Sequence, residues 1–232
     1  MNTPQAAGDR PLVADSTMIG HIARAGGQFL WTFALSIPMV LLGLPLVALG
    51  LLFRRVFPET ARPFTQYPAE VPWMLVRLPE WLKPWDNAVD GFYGDRRGWW
   101  HTHAAFKGGS RRFANMWWWG ATRNSADYWR RFMISCPVDE CDLVKLAGNA
   151  DEVNANGKLA GWNFLLAVQR RTGRRWYQLC VVHPWSETRC FNVWLGWKFK
   201  LSHADEHYDG DEAYKRFKGF EFLIHPWKAF KD

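Results

Sequence analysis

The sequence predicts an α+β fold in which an amino-terminal transmembrane helix precedes a tryptophan-rich body with an antiparallel β-meander. Three observations predict this fold. Residues 29–53 contain no charged side chain, prolines recur between residues 58 and 84, and apolar side chains alternate with others from residue 162 onward. These patterns divide the chain into a flexible amino-terminal arm (1–28), a transmembrane segment (29–53), a Pro/Trp-rich connector and turn region (54–109), and a basic aromatic segment followed by the β body (110–232).

The membrane anchor is predicted to run from Phe29 to Phe53. A helix needs about 20 apolar residues to cross the ~30 Å hydrocarbon core of a bilayer, and this run exceeds that length. Trp31 lies where an aromatic belt would meet the headgroups, and Arg54 and Arg55 follow the run directly. A cleavable signal peptide is not expected, because the run is too long and no small-residue cleavage site follows it.

Two prolines, Pro38 and Pro45, lie seven residues apart inside this run. A single kinked helix is favoured, because neighbouring groups can satisfy the carbonyls that proline frees in a membrane helix. The alternative is a re-entrant hairpin that turns near Gly43 and returns both ends to one side of the bilayer. Each arm of such a hairpin would be too short to span.

The orientation of the anchor is predicted from its flanking arginines. Arg54, Arg55 and Arg62 follow the span, whereas Arg24 and the more distant Arg10 precede it. The positive-inside rule therefore predicts a cytoplasmic body. The formal net charge of +7 suits anionic lipid headgroups or nucleic acid as a partner. Sixteen tryptophans are also present, a residue enriched at membrane interfaces.

The four cysteines are predicted to be free thiols in a reducing compartment, because they are too few for a disulfide scaffold in a chain of this length. The spacing of Cys136 and Cys141 is compatible with zinc ligation, but Cys180 and Cys190 lie in strand-like runs and do not form a second pair of ligands. No metal site is therefore expected.

The stretch PWDNAVDGFYGDRRGWW, residues 84–100, has turn-forming chemistry. Asx side chains bond their own backbone, and glycine accepts positive φ. The carboxylates lack the ordered spacing and the terminal Glu of a calcium loop. We therefore expect a structural turn held by Arg96 or Arg97 and formed by Asp86, Asn87, Asp90 and Gly91.

The segment 110–132 interleaves basic and aromatic side chains. This mixture can stack on bases and neutralise phosphates, and it also suits an interfacial segment on anionic lipid. Lipid is the favoured partner, since the anchor already holds the chain at a bilayer. The expected contact residues are Arg111, Arg112, Trp117, Trp118, Trp119, Arg123, Arg130 and Arg131.

Four strand-like runs follow, at residues 162–169, 176–183, 189–200 and 220–225. In the third run the alternation places Phe191 and Val193 on one face, with Asn192 on the other. Runs of this length with period-two alternation predict an antiparallel meander with one buried face.

The sequence offers no recognisable catalytic site. His203, Glu206 and His207 match the letters H-x-x-E-H, but that chemistry needs a helix in a cleft and a third zinc ligand. Their acidic, turn-prone surroundings predict a solvated loop, with a zinc hydrolase as the distant alternative. The sequence contains neither a P-loop nor a dinucleotide fingerprint, so no enzyme activity and no cofactor is expected.

Three stretches carry a family resemblance that covers roughly residues 78–200: LPEWLKPWDNAVDGFYGDRRGWW, ATRNSADYWRRF and FNVWLGWKFKL. In that order, and behind an apolar amino-terminal segment, they resemble a family of uncharacterised small membrane-associated proteins encoded by tailed bacteriophages. Ser125 stands where that family usually has proline. The resemblance implies a phage origin and supplies no catalytic residue.

Together these features predict a non-enzymatic accessory or interaction protein in the host inner membrane, with a cytoplasmic body. Its expected partners are the lipid bilayer and other phage or host proteins, with nucleic acid less favoured. The alternative is a virion component that uses its membrane-active segment in genome delivery.

Overall fold

The computed structural model describes residues 17–58, 74–86, 112–123, 125–199 and 217–231. The chain forms two compact units. Unit 1 comprises Met1–Leu30 and Cys136–Asp232, and unit 2 comprises Trp31–Ser135. The fold class is α+β, with a long apolar helix and a five-stranded antiparallel sheet.

Helix α1, Met18–Leu52, is unbroken. Both prolines of the apolar run lie inside it, so the prediction of a single helix is confirmed and the re-entrant hairpin is wrong. The helix begins before the predicted span, and residues 18–28, predicted as part of a flexible arm, are helical. Thr17 accounts for this start, because its hydroxyl accepts a hydrogen bond from the Gly20 N–H at 3.3 Å, as a helix-capping side chain does.

The remaining elements are short. The described strands are β1 (Arg55–Pro58), β2 (Met74–Arg77), β3 (Cys136–Pro137), β4 (Cys141–Gly148), β5 (Gly161–Gln169), β6 (Arg175–Pro184), β7 (Arg189–Trp197), β8 (Phe217–Lys218) and β9 (Phe220–Ala229). The described short helices are a 3-10 helix at Glu80–Trp85, α2 (Arg112–Trp118), π-helical turns at Trp119–Arg123 and Trp129–Met133, and 3-10 turns at Val138–Glu140 and Ala155–Gly157.

The main sheet of unit 1 has the strand order β4-β5-β6-β7-β9, and each neighbouring pair is antiparallel. Four of these strands coincide with the four period-two runs, so the predicted meander is confirmed. Strand β4 was not predicted, because Asp142 and Lys145 interrupt its apolar residues. These charges are tolerated because β4 is an edge strand in which Lys145 is exposed and Asp142 is only half-buried.

The sheet is covered on both faces at its centre, which corrects the expectation of a single buried face. Residues 163–168 of β5 are all buried. On one face the first turns of α1 contact Tyr177, whose hydroxyl lies 3.1 Å from His21 Nδ1. The opposite face carries a hydrophobic cluster whose members are Val153, Ala155, Cys180, Val182, Cys190 and Phe230.

The sequence also misassigned the start of β7. Phe191 was expected on the buried face, but it is 37% exposed, whereas Asn192 is only 6% exposed. The pairing of β7 with β6 keeps a regular register, so the alternation along β7 is intact, and Phe191 lies opposite His183, which is also exposed. Phe191 is therefore exposed because it lies near the end of its face, where both side chains contact solvent. A period-two pattern does not indicate how far along a strand that face is covered.

Candidate membrane-contact site

One side of α1 in unit 2 is apolar and exposed. Trp31, Leu35, Leu42 and Leu49 are spaced by four or seven residues and therefore lie along one side of the helix. Their exposed fractions range from 39% to 66%. These four residues are called the apolar stripe below. The same helix also exposes Phe33, Ile37, Leu41 and Leu52, with Phe53 directly after it.

The helix as a whole is long and apolar enough to cross a membrane, and only 22% of its most apolar stretch is buried. Soluble globular proteins normally place polar side chains on the outer face of a helix. This helix instead presents apolar side chains on its outer face as well as on its inner face. Such a surface is typical of contact with lipid or with another protein.

The inner face of α1 packs against a tryptophan-rich core of unit 2. Val47 and Leu51 are fully buried there. The core, called the tryptophan cluster below, contains Val47, Leu51, Leu78, Leu82, Met116, Trp119 and Ala121, with Leu44, Leu46, Trp85, Trp117 and Trp118 packed against it.

Two glycines on α1 let the cluster approach the helix backbone closely. A Cβ at Gly50 would lie 2.5 Å from Leu82 Cδ1 and 3.0 Å from Leu78 Cδ2. A Cβ at Gly43 would lie 2.9 Å from Trp85 Cδ1. These distances are shorter than ordinary van der Waals contact, so the absence of a side chain makes this packing possible.

Two indoles also bind the helix through hydrogen bonds. Trp85 Nε1 donates to the Met39 carbonyl at 2.7 Å, and Trp117 Nε1 donates to the Leu44 carbonyl at 2.7 Å. These bonds fix the 3-10 helix and α2 beside the middle of α1. They also satisfy indole N–H groups that would otherwise be buried without an acceptor.

Charged groups gather at the carboxyl end of α1. Arg54 donates to the Leu51 carbonyl at 2.8 Å, and Arg55 donates to Glu80 at 2.8 Å and to the Leu78 carbonyl at 3.0 Å. The hydrogen bond from Arg55 holds the pKa of Glu80 below its usual value. The positive charge of Arg54 complements the last turn, where helix carbonyls lack partners.

Asp86, predicted as part of a structural turn, is buried. Its carboxylate accepts the Leu78 N–H at 3.1 Å and lies 3.3 Å from Arg77 Nη1. Arg77 is thus a partner that the sequence did not suggest. The other predicted turn residues, Asn87, Asp90 and Gly91, and the expected partners Arg96 and Arg97, lie outside the described residues.

The predicted anchor residues separate into two groups. Trp31 and Phe53 are exposed, with fractions above 60%. Phe29, by contrast, is buried in unit 1, where its Cε1 atom would lie 2.5 Å from a Cβ at Gly196. The prediction of Phe29 as part of the membrane anchor is therefore corrected, because this side chain packs on the sheet body.

The basic aromatic segment is only partly available to lipid. Trp119 lies in the protein interior, so the expectation that it contacts headgroups is wrong, whereas Trp117 and Trp118 are half-buried. The interleaving of basic and aromatic residues could not reveal that Trp119 is buried, because an indole packs equally well in a protein core and at a membrane interface.

The arginines of this segment have varied surroundings. Arg123 is exposed, Arg130 is half-buried, and Arg131 donates to Asp127 at 2.7 Å. Arg112 begins α2, and Arg111 lies outside the described residues.

All four cysteines are free and buried. The Sγ atoms of Cys136 and Cys141 lie 3.9 Å apart. Burial raises the pKa of the Cys180 thiol to about 12. In the part of the chain that the structure describes, no group of three or more His, Cys, Asp or Glu side chains could hold a metal ion. His203, Glu206 and His207 lie outside that part.

Sequence reasoning missed the contacts that build the tryptophan cluster. Leu78, Leu82 and Met116 come from separate short elements, so no periodic pattern links them to α1. Gly43 and Gly50 were one available signal, because glycines inside an apolar helix mark positions where another chain segment can approach closely.

Comparisons with known proteins place the chain in a family. No curated protein and no solved structure matches it. A family model described as a family of unknown function, DUF7338, matches residues 21–231, and this range includes most of α1, both π-helical turns and the whole five-stranded sheet. The chain therefore belongs to the DUF7338 family.

Proposed function

We propose that this protein is a membrane-anchored, non-enzymatic accessory or interaction protein of a tailed bacteriophage. Helix α1 is its anchor, and the sheet body of unit 1 is its interaction module on the cytoplasmic face of the host inner membrane. The observation that carries the proposal is the apolar outer side of α1, with the apolar stripe at its centre.

The exposed side chains of α1 favour lipid for a physical reason. Each large apolar side chain that leaves water stabilises the bound state by roughly 1.5–3 kcal/mol when it is fully buried. The stripe alone offers four such side chains on one side of the helix. A helix that stays in water does not gain this stabilisation, whereas a helix in contact with acyl chains does.

The charges near α1 suit an anionic membrane. Arg54 and Arg55 lie at the carboxyl end of the helix, and the chain carries a formal net charge of +7. Each basic residue near an anionic surface contributes about 1 kcal/mol at physiological salt. The phage origin in this proposal rests on the sequence resemblance alone.

Membrane fractionation of the full chain tests the anchor. We expect the wild-type protein to stay in the membrane fraction after an alkaline carbonate wash, which removes peripheral proteins. Combined L35N, L42N and L49N substitutions should release most of it. The matched control is L143N, F191N and I224N, which removes three exposed apolar side chains from the sheet instead.

The control triple variant should remain in the membrane fraction. Recovery of the wild-type chain in the soluble fraction would contradict the proposal. So would equal release of both triple variants, because that result would mean that the position of the apolar residues does not matter.

A further inference from the structure

The contacts around α1 constrain how it can enter a bilayer. If residues 29–53 crossed the membrane, residue 41 would lie at the midplane. Met39 and Leu44 would then lie within about 5 Å of the midplane, since the helix rises 1.5 Å per residue. Trp85 and Trp117 donate hydrogen bonds to these two carbonyls. Both tryptophans would therefore lie deep in the hydrocarbon.

If α1 crossed the bilayer, charged groups would also enter the hydrocarbon core. Asp86 directly follows Trp85, and consecutive Cα atoms are only about 3.8 Å apart. Its carboxylate lies 3.3 Å from Arg77 Nη1. This ion pair would enter the hydrocarbon core, whose half-thickness is ~15 Å. The transfer of ionised groups to that depth is unfavourable in free energy even when the groups are paired.

A helix that lies along the membrane surface keeps this ion pair out of the hydrocarbon and so avoids the unfavourable transfer free energy. In that orientation the apolar stripe faces the acyl chains, and the tryptophan cluster on the inner side of α1 stays above the hydrocarbon. Apolar helix faces in this position insert ~5–10 Å into the boundary between headgroups and acyl chains. The exposed Arg54 can then reach anionic headgroups at the end of the helix, which supplies charge complementarity, whereas Arg55 is paired with Glu80.

We infer that α1 lies within one leaflet of an anionic bilayer, with the apolar stripe in the acyl region, rather than crossing the bilayer. The inference rests on the proposed function, because it specifies how the same surface meets lipid. The length of the apolar run suggests a helix whose two ends lie on opposite sides of the membrane, and the inference replaces that topology. Both ends of α1 are then on the same side of the membrane.

Spin-label depth measurements on the full chain in phosphatidylglycerol/phosphatidylcholine vesicles test this orientation. Single cysteines replace Leu35, Leu42 or Leu49, and the buried native cysteines give a low labelling background that the wild-type chain measures. Depth is read from the accessibility of each label to oxygen and to a water-soluble nickel complex. The three sites are seven residues apart, so they lie on one side of the helix.

A helix lying in one leaflet gives the same lipid depth at all three sites. A crossing helix places successive sites about 10 Å apart along its axis, with Leu42 deepest. That graded result would overturn the inference and leave the proposed function standing. Labels in water would overturn both. Labels immobilised by a second copy, with low oxygen access, would overturn the inference too, because protein rather than lipid would then cover the stripe.

Labelling from one side of the vesicle provides an independent measurement with different variants. Thr17→Cys and Arg54→Cys mark the two ends of α1, and both positions are exposed. A membrane-impermeant maleimide added outside sealed vesicles should modify the same fraction of each variant. Complementary fractions, in which one end is modified and the other is protected, would overturn the inference.

Discussion

The sheet of unit 1 and the tryptophan cluster of unit 2 are held together in different ways. The sheet has continuous backbone pairing and also buries polar side chains, including Asn163 and Gln178. The cluster depends on apolar packing against α1 and on two indole hydrogen bonds to helix carbonyls. Alternation of side chains along the sequence can reveal the strands of the sheet. The tryptophan cluster joins segments that are far apart in the chain, so no local pattern reveals it.

The buried polar groups of the sheet satisfy one another. Gln178 Nε2 donates to Asn163 Oδ1 at 3.2 Å, and Gln178 Oε1 accepts the Phe199 N–H at 2.7 Å. Asn163 Nδ2 donates to the Asp151 carbonyl at 3.2 Å. A satisfied network of this kind tolerates burial and disfavours alternative strand registers, so the sheet is specified by polar contacts as well as by apolar packing.

The largest expected effect comes from Gly196→Ala, which would damage unit 1. Gly196 has φ +95°, and a Cβ there would overlap the Tyr177 carbonyl oxygen. We expect a loss of about 3 kcal/mol or more in the free energy of unfolding. Thermal unfolding followed by circular dichroism measures it.

The control for this substitution is Gly173→Ala. Gly173 also has positive φ, at +70°, but nothing lies within 4 Å of the position that an added Cβ would occupy. It should therefore lose only about 1–2 kcal/mol, which is the strain of the left-handed conformation. Equal losses at both glycines would show that the close approach of Tyr177 is unimportant.

Two neighbouring leucines at the end of α1 in unit 2 should respond differently to truncation. Leu51 is fully buried in the tryptophan cluster, whereas Leu52 is 65% exposed. Leu51→Ala should reduce the free energy of unfolding by about 2–5 kcal/mol, since it removes packed side-chain atoms and leaves a cavity. Leu52→Ala should have little effect in detergent. Urea unfolding in a mild detergent, followed by tryptophan fluorescence, tests this pair, and a reversed order would contradict the assignment of the inner face.

The sheet of unit 1 could be predicted from the sequence in more detail than the tryptophan cluster of unit 2. Four strands of the sheet were identified from short strand-like runs, two of which show period-two alternation. The exposure of Phe191 was not predictable, because it depends on how far the covered part of the sheet extends along β7 and not on the alternation itself. The burial of Asn163 was not predictable either, because its partner Gln178 belongs to the neighbouring strand.

In unit 2 the sequence predicted the helix but not its partners. The absence of charge between residues 29 and 53 was enough to identify a long apolar helix. Nothing local indicates that Trp85 binds the Met39 carbonyl or that Trp119 is buried, because both facts depend on packing between segments far apart in the chain. The long helix could therefore be predicted, while the residues that restrict its orientation were missed.

A third, smaller effect should follow from removing the indole donors of unit 2. Trp85→Phe and Trp117→Phe keep an aromatic ring but remove the N–H that bonds α1. Each should reduce the free energy of unfolding by about 1 kcal/mol, the net value of one hydrogen bond. The control is Trp81→Phe, since Trp81 is 60% exposed. Equal effects at all three positions in urea unfolding would argue against a specific role for the two hydrogen bonds.

The smallest expected effect is a pH dependence that belongs to unit 1 alone, because every cysteine of the chain lies there. Burial raises the pKa of Cys180 from 9.0 to about 12, so the native state keeps this thiol protonated at pH values where the unfolded chain begins to lose the proton. The stability from Cys180 is therefore fully present below pH 9 and is lost as the pH rises toward 12.

Between pH 8 and 9.5 the loss should be under about 1 kcal/mol. Other groups titrate in the same range, so the informative quantity is the difference in slope between the wild-type chain and Cys180→Ala. The variant should show a shallower decline in the free energy of unfolding, measured for the sheet by circular dichroism. Parallel slopes would mean that Cys180 reaches solvent in the native state, and rapid alkylation of this thiol at pH 8 would lead to the same conclusion.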